Sequence, residues 1–271
     1  MRIVYLGTPA MAVPPLEALA AAGHEIALVV TGADKRRGRG RATSASPVKA
    51  LAEQLGVPVT HTVDDVLAAH AEQPVDLGVV VAFGRIIRPH VLAEMAMVNL
   101  HFSLLPRWRG AAPVERALLA GDAETGVCVM AVEEGLDTGA VYARRTVAIG
   151  PRATAAELRA ELVEVGTSLL VDTLAGPLPE PEPQRGEPTY AAKIDPAELR
   201  IDWSADVAVT DRLVRLGGAW TTWRGARVKI LVADVVEGAL VPVVVQPEGK
   251  APMAYAAWRN GAQPRPGEWF E

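Results

Sequence analysis

Two polar side chains, Asn99 and His101, alternate with Val98, Leu100 and Phe102 in one β-like run. A period of two sets the amide and the imidazole on one strand face and the apolar residues on the other. Open α/β sheets bind ligands at the C-terminal ends of their parallel strands, and there an amide beside an imidazole can hold the oxyanion that develops in acyl transfer. The same pair also fits a strand-end Asn that caps the next turn beside an ordinary hydrogen-bonded His. Downstream, Glu133-Glu134-Gly135-Leu136-Asp137-Thr138-Gly139 lies between two further β-like runs, with glycines on both sides of the carboxylate. Such a loop turns tightly enough to bring Asp137 inward, where it would orient His101 and accept or relay a proton. If it does not reach that far, it is an Asx turn closing a hairpin.

Other segments carry weaker or negative signals. Lys35, Arg36, Arg37, Arg39 and Arg41 place five cations in seven residues on a glycine-bearing loop after the second strand. Guanidinium groups on such a loop can follow phosphates of a polyanionic substrate; a solvated charged loop is the plainer reading. Gly7-Thr8-Pro9 follows the first strand but lacks the three glycines of a dinucleotide fingerprint, and no G-x-x-x-x-G-K-[ST] loop occurs, so neither NAD nor nucleotide triphosphate chemistry is expected. His24, His61, His70 and His90 show no metal-ligand spacing with each other or with Cys128, and no metal is expected. Cys128, between Val127 and Val129, reads as a small core side chain.

Elements that could position these residues follow from periodicity. Strands are expected at Arg2–Leu6, Glu25–Thr31, Leu77–Ala82, Val98–Phe102, Gly126–Val132 and Val141–Val147, with helices at Val13–Ala22, Pro47–Leu55, Pro89–Glu94, Pro113–Ala120 and Thr154–Leu174. This alternation defines an α/β domain with a mostly parallel sheet. Only Glu133–Ala140 separates the last two strands, too short for a crossover helix, so they are expected to be antiparallel. The tract Gly176–Pro188 carries five prolines and reads as an extended connector. Beyond it a helix at Ala205–Leu216 and β-like runs at Ala219–Trp223, Ala226–Val236 and Leu240–Gln246 form a small β-rich domain. The expected boundaries are 1–176, a linker 177–203, and 204–271.

Composition narrows the function further. The chain has 271 residues, half of them hydrophobic, and a net charge of −5, which excludes disordered and fibrous classes and any global positive field for nucleic acid or anionic membrane. A single cysteine fits a reducing compartment. Prolines and glycines interrupt the apolar N-terminus, and no apolar run reaches the roughly 18 residues of a membrane span. A cytoplasmic protein with no membrane partner is expected.

Taken together, Asn99-x-His101, Ser103-Leu104-Leu105-Pro106-x-Trp108-Arg109-Gly110-Ala111-Ala112-Pro113 and Glu134-Gly135-Leu136-Asp137-Thr138-Gly139 closely resemble the 10-formyltetrahydrofolate-dependent formyltransferases. Gly7-Thr8-Pro9, the loop Gly38-Arg39-Gly40-Arg41 leading into Ser46-Pro47-Val48-Lys49, and Ala120-Gly121-Asp122-x-Glu124-Thr125-Gly126 resemble the branch that acts on aminoacyl-tRNA. The resemblance runs nearly end to end. It implies a Rossmann-like catalytic domain, 10-formyltetrahydrofolate as formyl donor, and the methionine amino group of initiator tRNA as acceptor, in a monomer. It also implies catalytic roles for Asn99, His101 and Asp137, folate contacts at Ser103, Leu104, Leu105 and Pro106, and tRNA contacts through Lys35 to Arg41, Arg39 foremost.

Gly218-Ala219-Trp220-Thr221-Thr222-Trp223-Arg224-Gly225 and Gln246-Pro247-Glu248-Gly249-Lys250-x-Pro252-Met253 resemble the family's C-terminal domain, an OB-like barrel that supports tRNA binding, with Arg224, Arg227 and Lys229 as phosphate contacts. Here the chain departs from the pattern. Glu237-Gly238-Ala239 leads almost directly from one β-run into the next, so the barrel is expected to be shortened. Two other readings stand beside this one. The first is a folate-dependent formyltransferase acting on glycinamide ribonucleotide or an amino sugar nucleotide, against which the Ser46–Lys49 segment and the C-terminal module argue. The second is a catalytically silent tRNA-binding protein, against which the complete Asn, His and Asp set argues.

Overall fold

The computed structural model describes residues 1–37 and 42–271, so Arg39 and Arg41 of the basic loop lie outside the described residues. In chain order the elements are β1 (Arg2–Gly7), α1 (Val13–Ala21), β2 (Glu25–Val30), β3 (Lys35–Arg37), β4 (Ala42–Ser44), α2 (Pro47–Gln54), β5 (Val59–Thr60), α3 (Asp65–Glu72), β6 (Leu77–Val81) and α4 (Pro89–Glu94). They continue as β7 (Met97–His101), β8 (Arg109–Gly110), α5 (Pro113–Ala120), β9 (Glu124–Ala131), β10 (Val141–Ala148), α6 (Ala155–Leu174), β11 (Tyr190–Ala191), α7 (Val207–Leu216), β12 (Trp220–Trp223), β13 (Ala226–Val236), β14 (Ala239–Pro247), β15 (Met253–Ala254) and α8 (Tyr255–Ala262). The expected strands and helices are present with ends shifted by one or two residues; β5, α3, β8, β11, β15, α8 and the antiparallel β3–β4 pair are additional.

The chain forms two compact units. The first comprises Met1–Pro113, Glu124–Ala148 and Ala160–Ala191; the second comprises Val114–Ala123, Ile149–Arg159 and Ala192–Glu271.

The first unit is built on a seven-stranded sheet of order β10-β9-β7-β6-β1-β2-β5. From β5 to β7 the strands run parallel, and β9 and β10 extend the edge as antiparallel neighbours. Ile3, Val4, Tyr5 and Leu6 of β1 have no solvent exposure at all, because helices cover a parallel sheet on both faces and its central strands become continuous apolar runs. One face packs Val4, Leu6, Leu28, Val30, Val80 and Met97. On the other, the missing side chain of Gly166 lets α6 approach β7: a Cβ there would lie 3.2 Å from Leu100. Each fully buried aliphatic side chain contributes about 1.5–3 kcal/mol, and this fixes the strand register on which the site depends. Ser46 starts α2 by accepting the Lys49 N–H at 3.0 Å, with Pro47 in the first turn where a missing N–H does no harm.

The second unit carries a four-stranded antiparallel sheet of order β12-β13-β14-β15, packed with α7 through Leu213, Val214, Val228, Ile230 and Val245. The expected OB-like barrel is not closed: β12 and β15 are the two ends of an open sheet. The reason lies in the two-residue turn Glu237–Gly238, both with positive φ, which joins β13 straight to β14 and leaves no chain for closing strands. Part of the β12 edge is nevertheless paired. Thr222 and Glu271 exchange backbone hydrogen bonds at 2.9 and 3.3 Å, and Phe270 stacks between Trp203 and Trp258 with ring centroids 5.4 and 5.1 Å away.

Candidate active site

β7 delivers the site. Its register pairs Asn99 with Val80 and Met130, and His101 with Cys128, while Met97, Asn99 and His101 share one face. Asn99 is half-buried and His101 is 5% exposed, so the imidazole works largely out of water. Met130 and Cys128, the cross-strand neighbours of the pair on the same face, form an apolar floor with Leu105 and Val141.

The segment after β7 folds back on the imidazole. Residues 102–108 form a tight turn with a cis Leu105–Pro106 peptide and a left-handed Trp108 (φ 61°), which points the Trp108 carbonyl at His101 Nε2, 2.9 Å away. A carbonyl only accepts, so the proton sits on Nε2. On the other side of the ring, His101 Nδ1 faces Asp137 Oδ2 at 3.6 Å, an ionic contact longer than a hydrogen bond. That same oxygen accepts the Gly110 N–H at 2.7 Å. With Nε2 protonated, Nδ1 is the imidazole's acceptor atom, and it is turned toward the carboxylate.

Asp137 reaches this position because its loop is strained and crowded. The residue takes a left-handed conformation (φ 51°), and a Cβ on Gly139 would lie 2.0 Å from the Ala131 carbonyl oxygen, so only glycine lets the loop re-enter β10 this close to β9. The neighbouring edge is held by residues 182–191: Glu182 bridges to Val141, Thr189 Oγ1 accepts the Trp108 N–H at 2.9 Å, and β11 pairs with β8.

The structure thus brings His101 and Asp137 into contact and sets Asn99 on the same strand face. Of the stretch Ser103–Pro106, Ser103 is fully buried and its hydroxyl donates to the Arg107 carbonyl at 2.6 Å, Leu105 belongs to the floor, and Leu104 and Pro106 stay partly exposed. Lys35, Arg36 and Arg37 lie on β3, a hairpin strand paired with β4. In the second unit, Arg227 and Lys229 alternate with buried Val228 and Ile230 and so share the exposed face of β13, Arg227 stacking over Trp220 at 4.1 Å. Arg224 instead gives both guanidinium arms to Glu268 at 2.7 Å.

Sequence reasoning passed over the loop after β6. Val81 pairs with Leu100, so residues 82–88 leave the sheet directly beside His101. Ala82 (φ 46°) and Gly84 (φ 68°) turn the chain there, Arg85 anchors it on the His61 carbonyl at 2.8 Å, and Ile86 is left 87% exposed. The legible signal was Gly84 at a strand end followed by the apolar pair Ile86–Ile87 ahead of Pro89. Among the described residues no cluster of three or more His, Cys, Asp or Glu is arranged to hold a metal, and no helix is long and apolar enough to cross a membrane.

A mostly parallel sheet whose strand end carries an amide, an imidazole and a loop carboxylate is the frame of an acyl-group transferase, and the model of the formyl transferase family matches residues 1–174. The chain belongs to that family. It is 48% identical over 260 residues to the methionyl-tRNA formyltransferase of Roseobacter denitrificans, a match covering 91% of this chain and 85% of that protein. Among solved structures, methionyl-tRNA formyltransferase from Clostridium thermocellum superposes with a TM-score of 0.61 at 16% identity, covering 91% of this chain and 98% of that one. HypX from Aquifex aeolicus in complex with tetrahydrofolic acid superposes with a TM-score of 0.67 at 19% identity over 97% of this chain, which spans about half (47%) of HypX. At such identities these two structures share the fold.

Proposed function

We propose that this protein transfers the formyl group of 10-formyltetrahydrofolate to the amino group of methionyl-initiator tRNA in the cytoplasm. The observation that carries the reading is the 48% identity to a methionyl-tRNA formyltransferase along 91% of the chain, which takes in the second unit as well as the formyl transferase region.

The site fits a folate donor in kind. Exposed Ile86 offers an apolar edge for a flat heterocycle, beside a nearly dry imidazole and carboxylate that suit a polar carbonyl. The neutral amine attacks the formyl carbon, forming the new C–N bond while charge builds on the formyl oxygen. Asn99 and His101 stabilise that oxygen, and alignment of amine and formyl carbon removes much of the entropic barrier. The proton lost by the attacking nitrogen passes to the His101–Asp137 pair. As the bond to the donor nitrogen breaks and the formyl C=O re-forms, the pair gives that proton to the leaving nitrogen, tetrahydrofolate departs and the pair is restored. No covalent enzyme intermediate forms. Ser103 to Pro106 shape the donor side through their backbone, and Leu104 and Pro106 offer the contact surface.

Lys35, Arg36, Arg37, Arg39 and Arg41 serve the tRNA phosphates, as do Arg227 and Lys229, whereas Arg224 contributes less because Glu268 already neutralises it. The open sheet of the second unit stands in for the family's OB-like barrel.

The test is a formyl-transfer assay with purified protein, 10-formyltetrahydrofolate and a panel of acceptors. Methionyl-initiator tRNA is expected to exceed glycinamide ribonucleotide and amino sugar nucleotides by at least about a hundredfold in kcat/KM. A small amine as the better acceptor overturns the reading.

A further inference from the structure

Gln184 stands in the proline-rich segment, far along the chain from the catalytic residues, yet its side chain makes four hydrogen bonds within the first unit. Its Nε2 donates to the carbonyls of Asp137 and Gly139, both at 2.8 Å. Its Oε1 accepts from Arg109 Nε at 3.1 Å and Arg109 Nη2 at 2.7 Å. This fixes the amide orientation: reversed, the oxygen would face two carbonyls and the NH2 would face a guanidinium. All four bonds are complementary in one orientation only.

The two ends of the amide hold the two segments that orient the His101–Asp137 pair. Asp137 is a left-handed residue (φ 51°), and Gln184 takes up the carbonyls on either side of the Thr138 peptide. Arg109 precedes Gly110, whose N–H holds Asp137 Oδ2 at 2.7 Å, and follows Trp108, whose carbonyl holds His101 Nε2 at 2.9 Å. One side chain therefore ties the carboxylate loop to the segment that orients both members of the His101–Asp137 pair.

We infer that Gln184 is a positioning residue for formyl transfer: its Nε2 donors fix the Asp137 loop in register with His101. This rests on the catalytic reading given above. Gln184 touches neither His101 nor the Asp137 carboxylate, so it acts through the loop. Loss of about 1 Å in alignment of the reacting groups costs on the order of a hundredfold in rate.

Two near-isosteric variants separate the two halves of the amide. Gln184→Glu keeps oxygen acceptors for Arg109 but removes both donors to the loop; Gln184→Met removes both sets. Both are expected to lower kcat by roughly 10- to 100-fold, with KM for the folate donor and for methionyl-tRNA changed less than about twofold and the thermal midpoint held within a few degrees. Hydrogen exchange followed by mass spectrometry should show faster exchange at residues 133–140 and at Gly110 in both variants, with the central strands unchanged. If Gln184→Glu turns over like the native chain while Gln184→Met does not, the Arg109 contact is what matters and the inference fails. Unchanged exchange in both variants also overturns it, as does faster exchange with unchanged kcat. Exchange is read without any substrate, so an inactive native protein would count against the proposed reaction and leave the loop-fixing role still measurable.

Discussion

Cys128 stands directly across the β7–β9 ladder from His101, with its thiol completely buried. Burial pushes the thiol pKa up, against the smaller opposing pull of the Leu105 backbone and the Arg144 charge. A thiolate is what reacts, so this sulfur is a floor atom beneath the imidazole rather than a nucleophile. Native protein should resist iodoacetamide at neutral pH and react once unfolded in urea. Cys128→Ala should retain formyl transfer. Stoichiometric labelling of the folded chain would contradict this role.

Asp137→Asn preserves shape and can still accept the Gly110 N–H, but it removes the carboxylate that faces His101 and takes part in the proposed proton transfer. Turnover should drop by about 10²–10⁴-fold, the range for loss of a general acid–base group, with donor and tRNA affinity nearly unchanged. Single-turnover formylation beside equilibrium binding separates the two, and near-native turnover would remove Asp137 from the chemistry.

Gly139→Ala places a methyl within 2.0 Å of the Ala131 carbonyl oxygen, where the obstacle is backbone and cannot rotate away. Urea denaturation should show a loss of about 1–3 kcal/mol, the usual range for an overpacked position, together with reduced turnover as the Asp137 loop is displaced. A variant with native stability and native turnover would show that the loop has room the structure denies it.

Glu268 gives the second unit a dependence on acid. The two hydrogen bonds from Arg224, with the backbone N–H of Arg265 next in effect, push its carboxyl down to about 2 from an ordinary 4.5. A depressed carboxyl stabilises the fold at pH above its unfolded value, and that contribution is lost as the pH falls through about 2. Between these limits, Glu268→Gln should flatten the pH dependence of unfolding followed by tryptophan fluorescence. Parallel curves for the variant and the native chain would assign the acid sensitivity elsewhere.

Phe270→Ala should destabilise the second unit by about 3–5 kcal/mol, since the ring is nearly buried among Trp203, Trp223, Tyr255, Trp258 and Trp269. The aromatic near-UV circular dichroism should weaken with it. A change under 1 kcal/mol would mean that the C-terminal segment lies on the unit without supporting it.

The strands that build the site were readable because their residues leave little choice. Arg2–Gly7, Leu77–Val81 and Met97–His101 are short, β-branched and apolar, and the polar alternation at Asn99 and His101 stands out against them. α3 and α8 were missed for the converse reason. α3 fully buries only Val66, and α8 fully buries none of its residues and contains a glycine, so neither shows the wide apolar stripe of a core helix. Within the site, the partners of His101 Nε2 and Asp137 Oδ2 are the Trp108 carbonyl and the Gly110 N–H. Backbone atoms leave no mark in residue identity. Gln184 was hidden because its partners are distant in sequence and its neighbourhood is dominated by prolines that signal only extension. A shortened OB-like barrel was expected from resemblance, and the Glu237–Gly238 turn that goes with the open sheet was visible as a short join.

Because main-chain atoms at positions 108 and 110 hold His101 and Asp137, the side chain at 108 is exempt from the proton chemistry. Its ring packs against the Arg107 guanidinium, 4.6 Å from the ring centroid, on a left-handed turn that asparagine or glycine enters more easily than tryptophan. Replacing this side chain therefore leaves the backbone contacts to His101 and Asp137 available while it removes the ring's contact with Arg107. In a directed-evolution library aimed at new amine substrates, diversity at 108 should survive where diversity at 99, 101 and 137 does not.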